Sequence, residues 1–259
     1  MVYNKRMQGS IIQEILAGYD CSVYLPATYK DSKQDYPVVY VLGESSLAQL
    51  ATLYENARTS AGDARCKEAI IVGINVQKWE KDFSPWEANA LSEKSEPFAG
   101  GAGHFLYILE TQIKTFIDKN FRTQSDIEQT YLVGYSLAGL AVLYSLYTSP
   151  FALHYASVSG SLWFPKWTEF AEQNKLLQLS ESDGIKIYLS LGKAESSTSN
   201  MLMSKVDDCT QRTFAALKEK VAMLGQKPTD VFFEYNDGGH LANAPERTVR
   251  AITHLLSEA

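Results

Sequence analysis

Residues 134–139 form the stretch of this chain best suited to do chemistry, because they place a serine among small residues. The segment Gly134-Tyr135-Ser136-Leu137-Ala138 follows the G-x-S-x-G pattern of a nucleophile elbow, with alanine in the fifth place and Gly139 directly after it. In such a turn the serine hydroxyl projects above a sheet. An apolar strand is predicted before the turn and an apolar helix after it. This context predicts Ser136 as a nucleophile and the N–H of Leu137 as an oxyanion donor.

A serine hydroxyl needs a base within hydrogen-bond reach, and the chain has four histidines. Three are disfavoured by chain order or by position: His104, His154 and His254. The last of these is expected on the polar face of the final helix, near Arg247 and Arg250. His240 follows the last predicted strand, and the two glycines before it allow a sharp turn. The order serine, acid, histidine then predicts His240 as the base.

The acid that orients such a histidine should follow the strand predicted over residues 185–191. Glu195 is the first carboxylate after that strand. Its task is to hold one tautomer of the imidazole and to stabilise the imidazolium as it forms. Asp207 and Asp208 are rivals, but we expect them in a long helix facing solvent. Asp237 is better explained as a turn residue before two glycines, so the prediction is Glu195.

The second oxyanion donor should be a backbone N–H just after the strand predicted over residues 37–42. Glu44 is the predicted donor, and Ser45 is the next candidate. A carboxylate so close to an oxyanion is unfavourable unless it points away or has a partner. The geometry of this loop therefore depends on where the Glu44 side chain goes.

The elements that must position these residues alternate along the chain. The predicted strands are 10–16, 20–25, 37–42, 69–76, 131–133, 155–158, 185–191 and 231–235, and the predicted helices are 47–57, 104–118, 163–179, 201–224 and 245–256. The first two strands suggest an antiparallel hairpin, and the rest predict a mostly parallel sheet with helices on both faces. Each candidate residue follows a strand, so all should meet at the carboxyl edge of the sheet. A single α/β domain over residues 1–259 is the prediction.

One long segment without periodicity, residues 77–103, interrupts this alternation. It is rich in aromatic side chains, among them Trp79, Phe83, Trp86 and Phe98. A loop of this length in a compact domain is usually functional or disordered. Two interpretations stay open: an ordered loop beside the active site, and a surface loop whose aromatic rings pack on each other.

Composition excludes several classes of protein. Of the 259 residues, 45% are hydrophobic and 21% are charged, as in ordinary globular domains, and the net charge of −6 gives no indication of a nucleic-acid partner. Three scattered cysteines form no pattern of a metal site or a disulfide framework. No apolar run suggests a signal peptide or a membrane span. We expect a cytoplasmic protein that acts on a small molecule, and the sequence indicates no oligomeric state.

Taken together, the motifs resemble the putative-esterase family of α/β hydrolases. The segments that carry the resemblance are 36–42, 82–86, 98–102, 134–139, 159–163, 192–195 and 239–240. That family includes trilactone esterases of the enterochelin type, feruloyl esterases, S-formylglutathione hydrolases and mycolyl transferases. Two departures stand out: Leu42 runs directly into Gly43 without the usual His-Gly or Asp-Gly, and Ala138 replaces a glycine.

The resemblance implies an α/β-hydrolase fold and ester hydrolysis through an acyl-enzyme, without a cofactor. In the siderophore-esterase branch the expected substrate is a catecholate trilactone, and Trp79, Trp86 and Trp163 are candidates to stack on its rings. Core packing is the preferred explanation for Trp163. Alternatives stay open: other acyl esters or thioesters, acyl transfer to an alcohol, and a non-catalytic binding protein on the same fold.

Overall fold

A sheet of eight strands forms the centre of the protein. The computed structural model describes residues 7–60, 66–149, 151–177 and 184–257. The described residues contain ten strands, eight in this sheet and two in a separate ribbon. They are β1 Ser10–Leu16, β2 Tyr19–Leu25, β3 Val38–Leu42, β4 Ile70–Asn75, β5 Glu87–Ala88, β6 Phe98–Ala99, β7 Thr130–Tyr135, β8 His154–Val158, β9 Lys186–Gly192 and β10 Val231–Asn236. The main sheet has the order β1-β2-β4-β3-β7-β8-β9-β10, and β5 pairs with β6 in a separate ribbon. Strand β2 runs antiparallel to both of its neighbours, and the pairs from β4 to β10 are parallel.

Helices cover both faces of this sheet. They are α1 Leu47–Ser60, α2 Trp79–Asp82, α3 Ala102–Ile108, α4 Thr115–Asn120, α5 Leu137–Thr148, α6 Trp167–Gln173, α7 Val206–Met223 and α8 Ala244–Leu256, with a π-helical segment Leu109–Lys114 between α3 and α4. Helices α1 and α8 pack on one face and contribute to one apolar cluster, while α3, α5, α6 and α7 contribute to a second cluster on the other face. The side chains of β3 and β8 are buried throughout, as expected for strands covered on both sides. The predicted architecture is confirmed.

The helix predicted over residues 163–179 is wrong at both ends. Helix α6 begins only at Trp167 and ends already at Gln173, so residues 174–177 are not helical. Pro165 disfavours helical geometry at the residue before it, and Lys166 has a left-handed backbone with φ 66°. The chain therefore turns between residues 162 and 166. Residues 178–179 of the predicted helix lie outside the described residues.

Two other helices differ in detail from the prediction. The helix predicted from residue 201 begins at Val206, after a single 3-10 turn Met203–Lys205. The side-chain oxygen of Asn200 accepts the N–H groups of the next turn, which fixes that start. The helix predicted over 104–118 continues from residue 102 to residue 120 and includes the π-helical turns. Ile117 is buried there, rather than the expected Phe116, which is half-buried.

The long segment 77–103 is ordered by its own hydrogen bonds. The hydroxyl of Ser84 accepts from the N–H of Gly100 at 2.8 Å and donates to the carbonyl of Glu80 at 2.6 Å. Its aromatic rings contact each other and also rings of the domain, as in the edge-on pairs of Phe83 with Trp79 and Phe105. The segment is therefore ordered and packs on the domain, and its aromatic rings also pack on each other, so each of the two interpretations is met in part. Within the described ranges, no helix is long and apolar enough to cross a bilayer.

The crossing of β7 and α5 leaves no room for side chains at two positions. A Cβ atom at Gly134 would lie 2.5 Å from the carbonyl carbon and oxygen of Ala138. A Cβ at Gly139 would lie 2.8 Å from the Ser157 hydroxyl and 3.0 Å from the carbonyl oxygen of Gly134. Ala138 itself is fully buried without such a restriction. Glycine is therefore required at positions 134 and 139, whereas the methyl group of Ala138 is accommodated in the core.

We predict that Gly134→Ala destabilises the protein, because the obstructing atoms belong to the backbone and cannot rotate away. The expected loss in free energy of unfolding is about 1–3 kcal/mol. The matched control is Gly103→Ala in helix α3, where a Cβ meets nothing within 4 Å. That change should be neutral or stabilising by up to about 1 kcal/mol. Urea unfolding of both variants measures the difference, and equal stabilities would contradict the packing argument.

His154 is a buried histidine far from the elbow, at the amino end of β8. Its ring stacks on Tyr131 with centroids 4.4 Å apart, and its Nε2 lies 3.0 Å from the carbonyl oxygen of Glu128. Burial lowers the pKa of His154 to about 4. The native state therefore stays neutral here at pH values where the unfolded chain already binds a proton.

This depressed pKa predicts a pH-dependent loss of stability. As the pH falls from about 6.5 to about 4, the unfolded chain gains a proton that the native state does not, so stability falls by up to about 3 kcal/mol. His154→Phe keeps an aromatic ring and removes the titration. Urea unfolding as a function of pH should show a flatter profile for the variant over this interval. Parallel profiles would contradict the assignment.

Candidate active site

Ser136 occupies the sharp turn between β7 and α5. Its backbone has φ 58° and ψ −124°, a sparsely populated conformation for a residue with a side chain. The N–H of Ser136 donates to the carbonyl of Val158 at 3.0 Å, and its carbonyl accepts from the N–H of Ser161 at 2.9 Å. The hydroxyl is thereby directed toward the carboxyl edge of the sheet, where the other candidates lie.

The three residues predicted as nucleophile, base and acid lie in one hydrogen-bonded row. The distance from Ser136 Oγ to His240 Nε2 is 2.9 Å, and that from His240 Nδ1 to Glu195 Oε2 is 2.8 Å. The His240 side chain is partly exposed and the Glu195 side chain is 3% exposed. In this arrangement the imidazole can accept the serine proton at Nε2 while the carboxylate faces Nδ1.

The second carboxylate oxygen of Glu195 has its own set of donors. Oε1 accepts from the Ser159 hydroxyl and from the Gly192 N–H, both at 2.6 Å, and from the Arg247 guanidinium at 3.1 Å. Burial by itself raises the pKa of Glu195, but hydrogen bonds from His240, Ser159 and Gly192 outweigh it and hold the pKa at about 2. The carboxylate is therefore ionised at neutral pH.

Two of these partners, Ser159 and Arg247, were not predicted as site residues. Arg247 was expected on a polar face, yet it is buried, with 3% of its surface exposed. The sequence does contain one indication of this role, because Arg247 lies in the first turn of α8. A cation there is disfavoured by the helix dipole and needs a specific partner. The indication for Ser159 is weaker, since the sequence shows only a polar residue directly after a buried strand.

The predicted oxyanion donors lie at two chain reversals. Leu137 is the first residue of α5, where an N–H has no acceptor within the helix. Glu44 follows Gly43, which has φ 76° and turns the chain directly after β3. The Glu44 carboxylate has a partner, since it accepts from the N–H of Ser46 at 2.5 Å and its stem lies against Gly73. Burial raises the pKa of Glu44.

A second hydroxyl, that of Ser161, lies beside the predicted nucleophile. The oxygens of Ser136 and Ser161 are 3.3 Å apart, and Ser161 is buried. Ser161 belongs to the segment 159–163 that carries the family resemblance, but the sequence predicted no role for it. Its N–H bond to the Ser136 carbonyl shows that the segment after β8 supports the turn directly.

The three tryptophans proposed for substrate binding differ in their surroundings. Trp79 is half-buried and lies against Gly43, beside the predicted oxyanion loop. The indole N–H of Trp86 donates to the carbonyl of Pro165 at 3.0 Å, which ties the segment 77–103 to the domain. Trp163 is buried against Phe98 and Phe164, the packing role preferred for it.

The rival residues are placed elsewhere. Asp237 forms an exposed ion pair with Lys193 at 2.6 Å, and Asp207 accepts the hydroxyl of Tyr235. His254 stacks on Phe232, half-buried in the final helix. Among the described residues, no group of three or more His, Cys, Asp and Glu side chains is arranged to hold a metal ion.

Comparison with known proteins gives relatives in sequence and in structure. An uncharacterised protein of Bacillus subtilis, YbbA, is 26% identical over 216 residues, covering 83% of this chain and 84% of its own. The ferri-bacillibactin esterase BesA of the same organism is 27% identical over 240 residues, covering 85% and 79%. An IroE-like serine hydrolase from Shewanella oneidensis superposes with a TM-score of 0.73 at 23% identity, over 95% of this chain and 80% of its own.

The structural likeness to the Shewanella protein confirms the α/β-hydrolase fold. A family model described as "Putative esterase" matches residues 13–244, which span the sheet from β1 to the start of α8. The chain belongs to this esterase family of α/β hydrolases.

Proposed function

We propose that this protein is a serine carboxylic ester hydrolase that works through an acyl-enzyme. The observation that carries the proposal is the unbroken hydrogen-bonded row from Ser136 through His240 to Glu195, with distances of 2.9 and 2.8 Å. A buried, ionised carboxylate behind a partly exposed imidazole suits a base that must become cationic for a moment. Each member comes from a different part of the chain, so the row requires the whole fold.

The reaction proceeds in two balanced halves. Ser136 Oγ attacks the ester carbonyl while its proton passes to His240 Nε2, and a tetrahedral oxyanion forms. The C–O bond to the alcohol then breaks, and His240 gives its proton to the leaving oxygen. A water molecule next transfers a proton to His240 and attacks the acyl-serine. Breakdown of the second tetrahedral intermediate returns the proton to Ser136 Oγ and releases the acid.

The oxyanion of both intermediates is assigned to two backbone donors. The N–H of Leu137 lies at the amino end of α5, where the helix dipole adds favourable potential. The N–H of Glu44 is the second donor, from the loop after β3. The carboxylate of Glu44 is engaged by the N–H of Ser46, which lessens its repulsion of an oxyanion.

The substrate class proposed is a siderophore-type catecholate trilactone. The support is the ferri-bacillibactin esterase activity in the name of a relative that is 27% identical. Trp79 supports it from this chain's own structure, because its half-buried ring flanks the oxyanion loop and offers a stacking surface. Trp86 and Trp163 are the further candidates, and all three rings also make packing contacts within the protein. Acyl esters and thioesters of other kinds are the alternative substrates.

The nucleophile assignment predicts a covalent adduct at one serine. Treatment with a fluorophosphonate should add one phosphonyl group to the wild-type protein and none to Ser136→Ala, as measured by intact mass. Ser161→Ala is the matched control, because it removes the neighbouring hydroxyl 3.3 Å away and should still be labelled. Wild-type protein that folds but takes no label would favour a binding protein on the same fold.

The acid assignment predicts unequal effects of two carboxylate changes. Glu195→Gln should lower kcat by on the order of 10²–10⁴-fold, because the imidazole loses its orienting anion. Asp237→Asn, three residues before His240, removes only an exposed ion pair with Lys193 and should have little effect. Hydrolysis of a catecholate trilactone and of a short aryl ester measures both. Full activity in Glu195→Gln would assign the acid role elsewhere.

A further inference from the structure

We propose that Arg247 is a positioning residue that holds both the acid and the base of this site in place. The inference rests on the proposed function, since it concerns how Glu195 and His240 are aligned for catalysis. It adds a residue that does not touch the substrate and that acts through the other two.

The guanidinium of Arg247 reaches two parts of the site at once. One terminal nitrogen, Nη2, donates to Glu195 Oε1 at 3.1 Å and to the hydroxyl of Ser159. The other, Nη1, lies 3.5 Å from the carbonyl oxygen of Gly239 and 3.4 Å from the hydroxyl of Tyr135. A single planar group therefore contacts the acid and the residue next to His240.

Tyr135 extends this contact to the histidine itself. Its hydroxyl donates to the backbone carbonyl of His240, and its ring lies with its centroid 5.4 Å from that of the imidazole. The Arg247 guanidinium carbon lies 5.7 Å from the Tyr135 ring centroid. Because Tyr135 directly precedes Ser136, the arginine is connected to all three members of the row.

Helix stability does not explain this arginine. It lies in the first turn of α8, where the positive end of the helix dipole disfavours a cation. Its side chain and that of Glu195 are each 3% exposed, so both ions have left water. A buried ion pair gives little net stability compared with apolar packing of the same volume. The orientation that Arg247 imposes on the Glu195 carboxylate explains its presence better than stability does.

That geometry divides the two oxygens of the carboxylate. Oε1 is taken by Arg247, Ser159 and the Gly192 N–H, and Oε2 remains for His240 Nδ1. The carboxyl group is thereby fixed in rotation. Fixed Oε2 holds the imidazole proton on Nδ1 and leaves Nε2 as the acceptor for the Ser136 proton. Losing this control should lower kcat more than it changes KM.

The test compares three variants with one control by steady-state hydrolysis of an aryl ester, with kcat and KM measured separately. Arg247→Gln should lower kcat by on the order of 10–100-fold with KM nearly unchanged. Arg247→Lys keeps the charge but has only one nitrogen in place of the two that reach Glu195 and Gly239, so it should also lower kcat with KM nearly unchanged. Tyr135→Phe should lower kcat more mildly. Arg250→Gln, on the same helix but exposed, should match the wild type.

The outcomes separate this inference from the proposed function. If the wild type hydrolyses esters and Arg247→Gln keeps its kcat, the positioning role is overturned. If Arg247→Gln does not fold, Arg247→Lys and Tyr135→Phe decide, and wild-type kinetics in both would overturn it. If folded wild-type protein shows neither hydrolysis nor fluorophosphonate labelling, the proposed function fails first, and the positioning role fails with it.

Discussion

The backbone conformation of Ser136 is the constraint on which the rest of the site depends. A residue with φ 58° and ψ −124° stores on the order of 1–3 kcal/mol of strain, and it persists only where its surroundings allow no other conformation. Here the N–H bond to Val158, the bond from Ser161 and the close approach of Gly134 to α5 supply that control. The hydroxyl is thus presented in one direction, and the other loops have to reach it.

The register of the parallel strands explains how they do so. Tyr135 at the end of β7 pairs with Val158 at the end of β8, and Val158 pairs with Ser190 on β9. Strand β9 continues two residues further, to Gly192, which pairs with Asn236 at the end of β10. The loops that carry Glu195 and His240 therefore leave the sheet further out than the elbow. They can fold back over it, and the two backbone bonds from Lys193 to Asn236 and from Ala194 to Gly238 join them.

Much of this was open to prediction because it follows from local pattern and chain order. Buried strands appear as apolar runs, and the residue types after them indicated Ser136, Glu195 and His240. Arg247 was missed because its burial depends on a carboxylate 52 positions earlier, and in a helix sequence an arginine indicates a polar face. The π-helical turns were missed for another reason: the apolar positions 105, 109, 113 and 116 have the spacing of an ordinary helix, and only the structure shows that Ile117 is buried in place of Phe116.

The charges of Glu195 and Arg247 compensate each other at the candidate site. Glu195 alone would leave a net negative charge behind the imidazole, buried at a cost of several kcal/mol. With Arg247 beside it, the resting site is neutral. In the proposed reaction the imidazolium and the oxyanion appear together, so the net charge is still unchanged at the tetrahedral stage. The positive charge of Arg247 weakens the attraction of the Glu195 carboxylate for the imidazolium. In return, it allows the carboxylate to be buried and held in one orientation. Fixed dipoles and ions stabilise charges most effectively where water is excluded.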